Sequence, residues 1–246
     1  MRTVGVDLAA DPARTAVAWI DWSSDGARVV RVETHAEDDL IVEAVLGADK
    51  AGIDCPLGWP DAFVDFVTAH RTGHVRPGTS GRAWRRDLTL RVTDKVTHEL
   101  TGLTPLSVSA DRIAHPAMRC AALQAELALR GHAVDRTGAG TVVEVYPAAS
   151  LYRWGLAHRG YKRAANRTEL ARLAGELQAA APWLDLAAFT PLCSSSDDAF
   201  DAVIAALTAR AAHLGKTTQA PPEHRKAAST EGWITLPTTP LHTLHP

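Results

Sequence analysis

Cysteine is scarce in this sequence and unpatterned. Cys55, Cys120 and Cys193 are its only three, and no CxxC joins any of them, so neither a disulfide framework nor a cysteine zinc site is expected. Long apolar runs are also lacking. Nothing approaches the ~20 residues of a membrane-spanning helix, and the opening "MRTVGVDLAA" has no apolar signal core. The expectation is a cytoplasmic protein with no membrane role. A formal net charge of −2 gives no general attraction to nucleic acid, so any such attraction must be local. HExxH and GxSxG are missing, and His70 and His74 are separated by Gly73; a zinc-protease helix and a nucleophile elbow are thereby disfavoured. The seven tryptophans are scattered, with no sign of the aromatic platform that a glycosidase reading of paired carboxylates requires.

What is present belongs to a globular chain. Apolar residues make up 46% and charged residues 22% of 246, enough for a substantial core. Val4, Val6 and Leu8 alternate with Gly5 and Asp7, "TAVAWIDW" follows, and "ARVVRVETHA" comes after the turn signal "SSDG". These read as an antiparallel meander of three strands. "EDDLIVEAVLGA" has helical spacing, and "AGIDCPLGWP" is a fourth strand stopped by Pro56, reached by a right-handed crossover. Helices are expected near 61–70, 111–131 and 168–180, and "TVVEVYPAAS" supplies a fifth strand. Residues 71–91 carry Gly73, Pro77, Gly78 and Gly81 and read as a basic loop. From about Lys216 the chain reads as partly mobile loop with one short strand at "GWITLP". The expected organisation is one domain over 1–236, with an insertion over about 57–140 and a tail at 237–246.

Carboxylates occupy odd places. "SSSDDAFDAVIAAL" (194–207) opens a helix so apolar that it must pack on more than one face. Ser195 or Ser196 suits its N-cap, and Asp197 suits the first turn. Asp201 lies a turn inside, where an unpaired charge would cost several kcal/mol, and Asp198 is near enough to share a cation with it. Asp7, Asp54 and Glu144 each interrupt or end a strand, where acids are depleted. If strands one, four and five are parallel neighbours, Asp7 and Asp54 emerge at one edge, Glu144 could join them, and the helix start could cap the group. Converging carboxylates repel one another unless divalent cations neutralise them, and Mg²⁺ or Mn²⁺ favour oxygen ligands.

Taken in order, "GVDLA", "GIDCPLGWP", "RVTDK", "VVEVYPAAS" and "DDAFDAVIAALTA" resemble the DUF429 family, described as predicted nucleases of RNase H fold. The last segment also looks like the final catalytic helix of RuvC-type Holliday-junction resolvases. The resemblance implies an RNase H-like mixed five-stranded α/β sheet, with strands one to three antiparallel and four and five parallel. It implies a metal cluster of Asp7, Asp54, Glu144 and Asp201, with Asp198 as a further ligand or helper. The chemistry implied is nucleic-acid hydrolysis with two Mg²⁺ or Mn²⁺ ions ~4 Å apart.

The basic stretch offers substrate contacts. Arg82, Arg85, Arg86 and Arg91 could hold backbone phosphates and Trp84 could stack on a base, against the plainer reading of a solvated insertion. Arg91 and Asp94 of "RVTDK" could orient a phosphate or form an ion pair at a helix start. The partner expected is a nucleic acid or a phosphorylated nucleotide. Two alternatives stand beside the nuclease. An actin- or sugar-kinase-like phosphotransferase shares the core, but "LAADPAR" has no glycine for its phosphate loop. A non-catalytic binding protein would be expected to have lost carboxylates.

Overall fold

The alternating start of the chain forms the centre of the sheet in the computed structural model, which describes residues 1–76 and 81–245. Strand β1 (Arg2–Asp7) pairs antiparallel with β2 (Ala16–Ser23), which pairs antiparallel with β3 (Gly26–Thr34). Helix α1 (Asp38–Leu46) carries the chain back to β4 (Lys50–Asp54), parallel to β1 with Gly5 opposite Gly52 and Asp7 opposite Asp54. Helices α2 (Asp61–Arg71), α3 (Arg82–Thr89), α4 (Val92–Thr101) and α5 (Ala114–Leu129) intervene before β5 (Val142–Glu144), which lies parallel to β4. Then follow α6 (Pro147–Arg153), α7 (Arg167–Ala180), β6 (Leu184–Asp185), α8 (Thr190–Cys193), α9 (Asp197–His213) and α10 (Arg225–Glu231).

The sheet order is β5-β4-β1-β2-β3-β6. It therefore has six strands where five were expected. The extra one, β6, contributes only Leu184 and Asp185, parallel to the edge of β3, too short to leave a periodic signal.

Strand alternation sorts the two faces. Val4, Val6, Ala51 and Ile53 pack with Ile41 and Val45 of α1 and Leu123 and Leu127 of α5. Gly5, Asp7, Gly52 and Asp54, one residue out of phase, point the other way, toward α9. That helix lies on β1, β2 and β4, with every residue from Ala199 to Ala211 buried. Its outer side is covered as well: Phe200, Ile204 and Leu207 share a core with Leu170, Leu173 and Leu177 of α7. Gly5 and Gly52 make the close approach possible. A Cβ on Gly5 would sit 2.0 Å from the Ala202 carbonyl oxygen, and one on Gly52 would sit 2.6 Å from that of Ala205.

Two local expectations are corrected. Residues 71–91 are not one loop, because α3 and the start of α4 fall within or beside them; Trp84 of α3 packs edge-on against Phe66 of α2, ring centroids 5.5 Å apart. Pro77 and Gly78 lie outside the described residues. The region after Lys216 is anchored rather than loose: Trp233, Ile234, Leu236, Leu241 and Leu244 are buried. "GWITLP" makes isolated bridges, Ile234 to Glu144 and Pro237 to Thr217, in place of a strand. The three thiols are free and buried. Among the described residues no helix is long and apolar enough to cross a membrane.

Candidate active site

Two copies of Gly-x-Asp, side by side on parallel strands, begin the site. Asp7 and Asp54 end β1 and β4 at the same level, and both are partly exposed. Helix α9 supplies the third member. Ser196 is its N-cap, accepting a hydrogen bond from the Ala199 amide, and Asp197 and Asp198 stand in the first turn, where the helix dipole favours acids. Asp197 accepts a bond from the Arg163 amide at 3.0 Å. Asp198 is held by Arg14 through two bonds of 3.0 Å each. Asp201, one turn further, is fully buried. Asp7, Asp54 and Asp201 each offer an oxygen, and these oxygens all lie within 4.8 Å of one another.

Burial raises all three acids, and repulsion from Asp201 adds to it at Asp7 and Asp54. Asp7 is pushed well above the usual carboxylate range, by burial first and then by Asp201, with Lys162 opposing. Burial lifts Asp54 to about 7, against the pull of Lys162. Asp201 is raised by burial despite Lys162 and Tyr161. Such groups favour the charged form only if a cation is near.

One cation is already present. Lys162 Nζ lies 2.6 Å from Asp201 Oδ2, and the Tyr161 hydroxyl donates to Oδ1 at 2.8 Å. Desolvation works against the Lys162 charge, but Asp201, Tyr161, Asp7 and Asp54 together hold it protonated well above its ordinary range. The turn that delivers it is strained: Arg163 has φ 82° and ψ 152°, a conformation that costs a non-glycine residue about 1–3 kcal/mol. Sequence reasoning missed Tyr161 and Lys162, since "GYKR" sits in a connection without periodicity. The paired Gly-x-Asp was a further signal in the sequence, since Gly5 and Gly52 each precede the acid by two.

The structure does not bring Glu144 into this group. Val143 and Val145 pack against Ala205 and Ala209 of α9, so Glu144 between them faces the opposite side of the sheet. There it is 2% exposed and accepts bonds from Arg91 Nη1 and Nη2 at 2.8 and 2.6 Å and from the Leu57 amide at 3.0 Å. Burial raises it and Arg91 draws it back.

Arg91 is correspondingly not a surface phosphate ligand. It is 1% exposed, is bound to Glu144 and Asp94, and donates to the Glu231 carbonyl. Of the two readings of "RVTDK", the ion pair at a helix start is the one observed. Arg82, Arg85 and Arg86 are exposed on α3, and Trp84 is partly covered by Phe66. No residue of α3 lines the cavity that opens beside Asp54.

The chain belongs to the DUF429 family, proteins of unknown function, whose model matches residues 5–226. No curated protein and no solved structure matches it.

Proposed function

We propose that this DUF429 protein hydrolyses phosphodiester bonds of nucleic acids or nucleotides with Mg²⁺ or Mn²⁺ held by Asp7, Asp54 and Asp201. The observation that carries the reading is the trio itself: three carboxylates from two adjacent strands and a helix, with oxygens within 4.8 Å. Each is raised by burial, Asp7 and Asp54 also by Asp201, so a divalent cation would relieve both costs. Oxygen-only donors suit Mg²⁺ or Mn²⁺. When bound, such an ion lowers the pKa of water and neutralises charge on a phosphoryl oxygen.

The chain's own groups do the rest. Partly exposed Asp7 and Asp54 give the site its open side, and Asp201 is the buried anchor, oriented by Tyr161. Lys162 places a positive charge beside the carboxylates, where a phosphate oxygen can use it. A second ion would have to draw on Asp198, displacing Arg14, since Glu144 is taken by Arg91. The mixed sheet supports the same reading, which takes the fold as RNase H-like. A meander is followed by two parallel strands, and the acidic helix lies on the first and fourth strands.

The test is a cleavage screen on labelled DNA, RNA and branched substrates with and without Mn²⁺. Asp7→Asn should abolish metal-dependent cleavage while circular dichroism stays that of the wild type. Full activity in Asp7→Asn would remove the site assignment, and cleavage unaffected by chelation would remove the metal.

A further inference from the structure

A cavity of about 470 Å³ opens beside the aspartates. Asp54, Lys162, Arg112 and Arg159 are among its lining residues, together with the Arg91–Glu144 ion pair. We infer that this cavity seats a single nucleotide unit, its phosphate on Arg112 and Arg159 and its base against Tyr146, so that the substrate is a strand terminus or a free nucleotide. The inference rests on the phosphodiesterase reading and adds the substrate class.

Size comes first. Pockets that enclose one small ligand span ~300–1,000 Å³. At ~30 Å³ per liquid water, this one has the room of about 16 waters. That is close to one nucleoside and far short of a duplex.

Charge comes second. Neither Arg112 nor Arg159 has a hydrogen-bond or ion-pair partner for its guanidinium among the described residues. Arg14, Arg91, Arg119 and Arg130 are all engaged. Two uncommitted cations facing one cavity call for an anionic ligand, and a bidentate guanidinium suits phosphate.

The walls come third. Leu106, Ile113 and Tyr146 line the same space. Burial raises the Tyr146 phenol, so the ring stays neutral and offers a stacking face, a contact worth ~1–3 kcal/mol per base. One cavity thus joins an aromatic ring, apolar side chains, two guanidinium groups and Asp54, the groups that a base, a sugar and a phosphate call for. The exposed arginines of α3 do not reach it.

The experiment titrates adenosine 5′-monophosphate into the metal-free wild-type protein and the Arg112→Ala/Arg159→Ala variant, by calorimetry. The wild type should bind, and the variant should bind at least tenfold more weakly; both side chains are exposed and unpaired, so thermal stability should not change. Arg85→Ala/Arg86→Ala should leave the affinity as it was. A linear oligonucleotide that competes with the monophosphate while its circularised form does not marks a strand terminus; competition by neither marks a free nucleotide. No binding to the wild type, binding indifferent to Arg112 and Arg159, or equal competition by the circle overturns the inference. Monophosphate binding without cleavage of any substrate would remove the catalytic reading and leave the pocket standing. Cleavage with an unchanged KM in the double variant would do the reverse.

Discussion

Replacing Glu144 by glutamine separates a structural carboxylate from a metal ligand. Glu144 is 2% exposed and takes three hydrogen bonds, two from Arg91 and one from the Leu57 amide. Glutamine keeps the shape and one acceptor oxygen but turns an N–H₂ toward an Arg91 N–H, so one bond becomes a donor–donor contact and the charge is lost. The pocket cannot relax around it, since even a Cβ on Gly232 would come within 2.7 Å of Glu144 Oε2. Removing one partner of a buried ion pair costs ~3–5 kcal/mol. Asp94 still neutralises Arg91 here, which puts the expected loss near the low end, ~3 kcal/mol. For a chain of this size that is a drop in Tm of about 6–12 °C. Glu144 lies outside the trio and touches it only through its charge on Asp54, so Mn²⁺ affinity should change by much less than tenfold. Thermal unfolding by circular dichroism and Mn²⁺ titration by calorimetry read the two quantities separately. A Tm unchanged while Mn²⁺ binding falls tenfold or more would refute the reasoning and return Glu144 to the metal cluster.

Gly5→Ala should destabilise by more than the ~1–3 kcal/mol typical of overpacking, because its Cβ would meet two backbone atoms of α9 at 2.0 and 2.2 Å. Gly175→Ala, with nothing within 4 Å, should instead stabilise by ~0.5–1 kcal/mol; equal urea midpoints for the two variants would contradict the close seating of α9. Asp54, raised to about 7 when folded, binds its proton more tightly folded than unfolded, so its contribution to metal-free stability is greatest at acid pH. That contribution falls as pH rises from about 4 to about 7 and is flat above. Asp54→Asn should therefore match the wild type near pH 4 and exceed it above pH 7 in EDTA, and the opposite trend in thermal melts would show that the carboxylate is not held against its charge. Lys162→Met should lower metal-free stability by unpairing Asp201 and enlarge the Tm gain on adding Mn²⁺; the same gain in both proteins would mean that lysine and cation do not compete.

Much of the fold was legible because β1 alternates and α1 has helical spacing, while β4 and α9 are apolar runs with clear bounds, Pro56 after one and the serines and aspartates before the other. Given parallel neighbouring strands one and four, Asp7 and Asp54 were expected at one edge of the sheet, and β1 and β4 are such neighbours. Glu144 was misplaced for a specific reason: its strand was recognised, but "VVEVY" is apolar on both sides and gives no hint of which parity meets α9. Arg91 looked like a surface cation because its neighbours in sequence are; only the return of Glu144 and Glu231 from far along the chain buries it. Lys162 and Tyr161 were invisible for the complementary reason. Nothing local distinguishes a lysine in a turn from one aimed at a buried acid, and the strained Arg163 that aims it is an ordinary residue on paper.

The paired glycines explain how such a site can exist in a stable protein. Three acids under mutual repulsion gain nothing by being adjacent, so the fold must bring them together by interactions that do not involve them. The alanines of α9 and the bare backbone at Gly5 and Gly52 do so, setting the helix against the sheet while Phe200, Ile204 and Leu207 fix its outer side. The carboxylates then sit at the end of that contact, where Lys162 balances part of their charge. The trio is thus placed by packing that does not involve it, and Asp7 and Asp54 are its partly exposed members. Under the proposed function, a divalent cation held by Asp7, Asp54 and Asp201 would then meet carboxylates already in place.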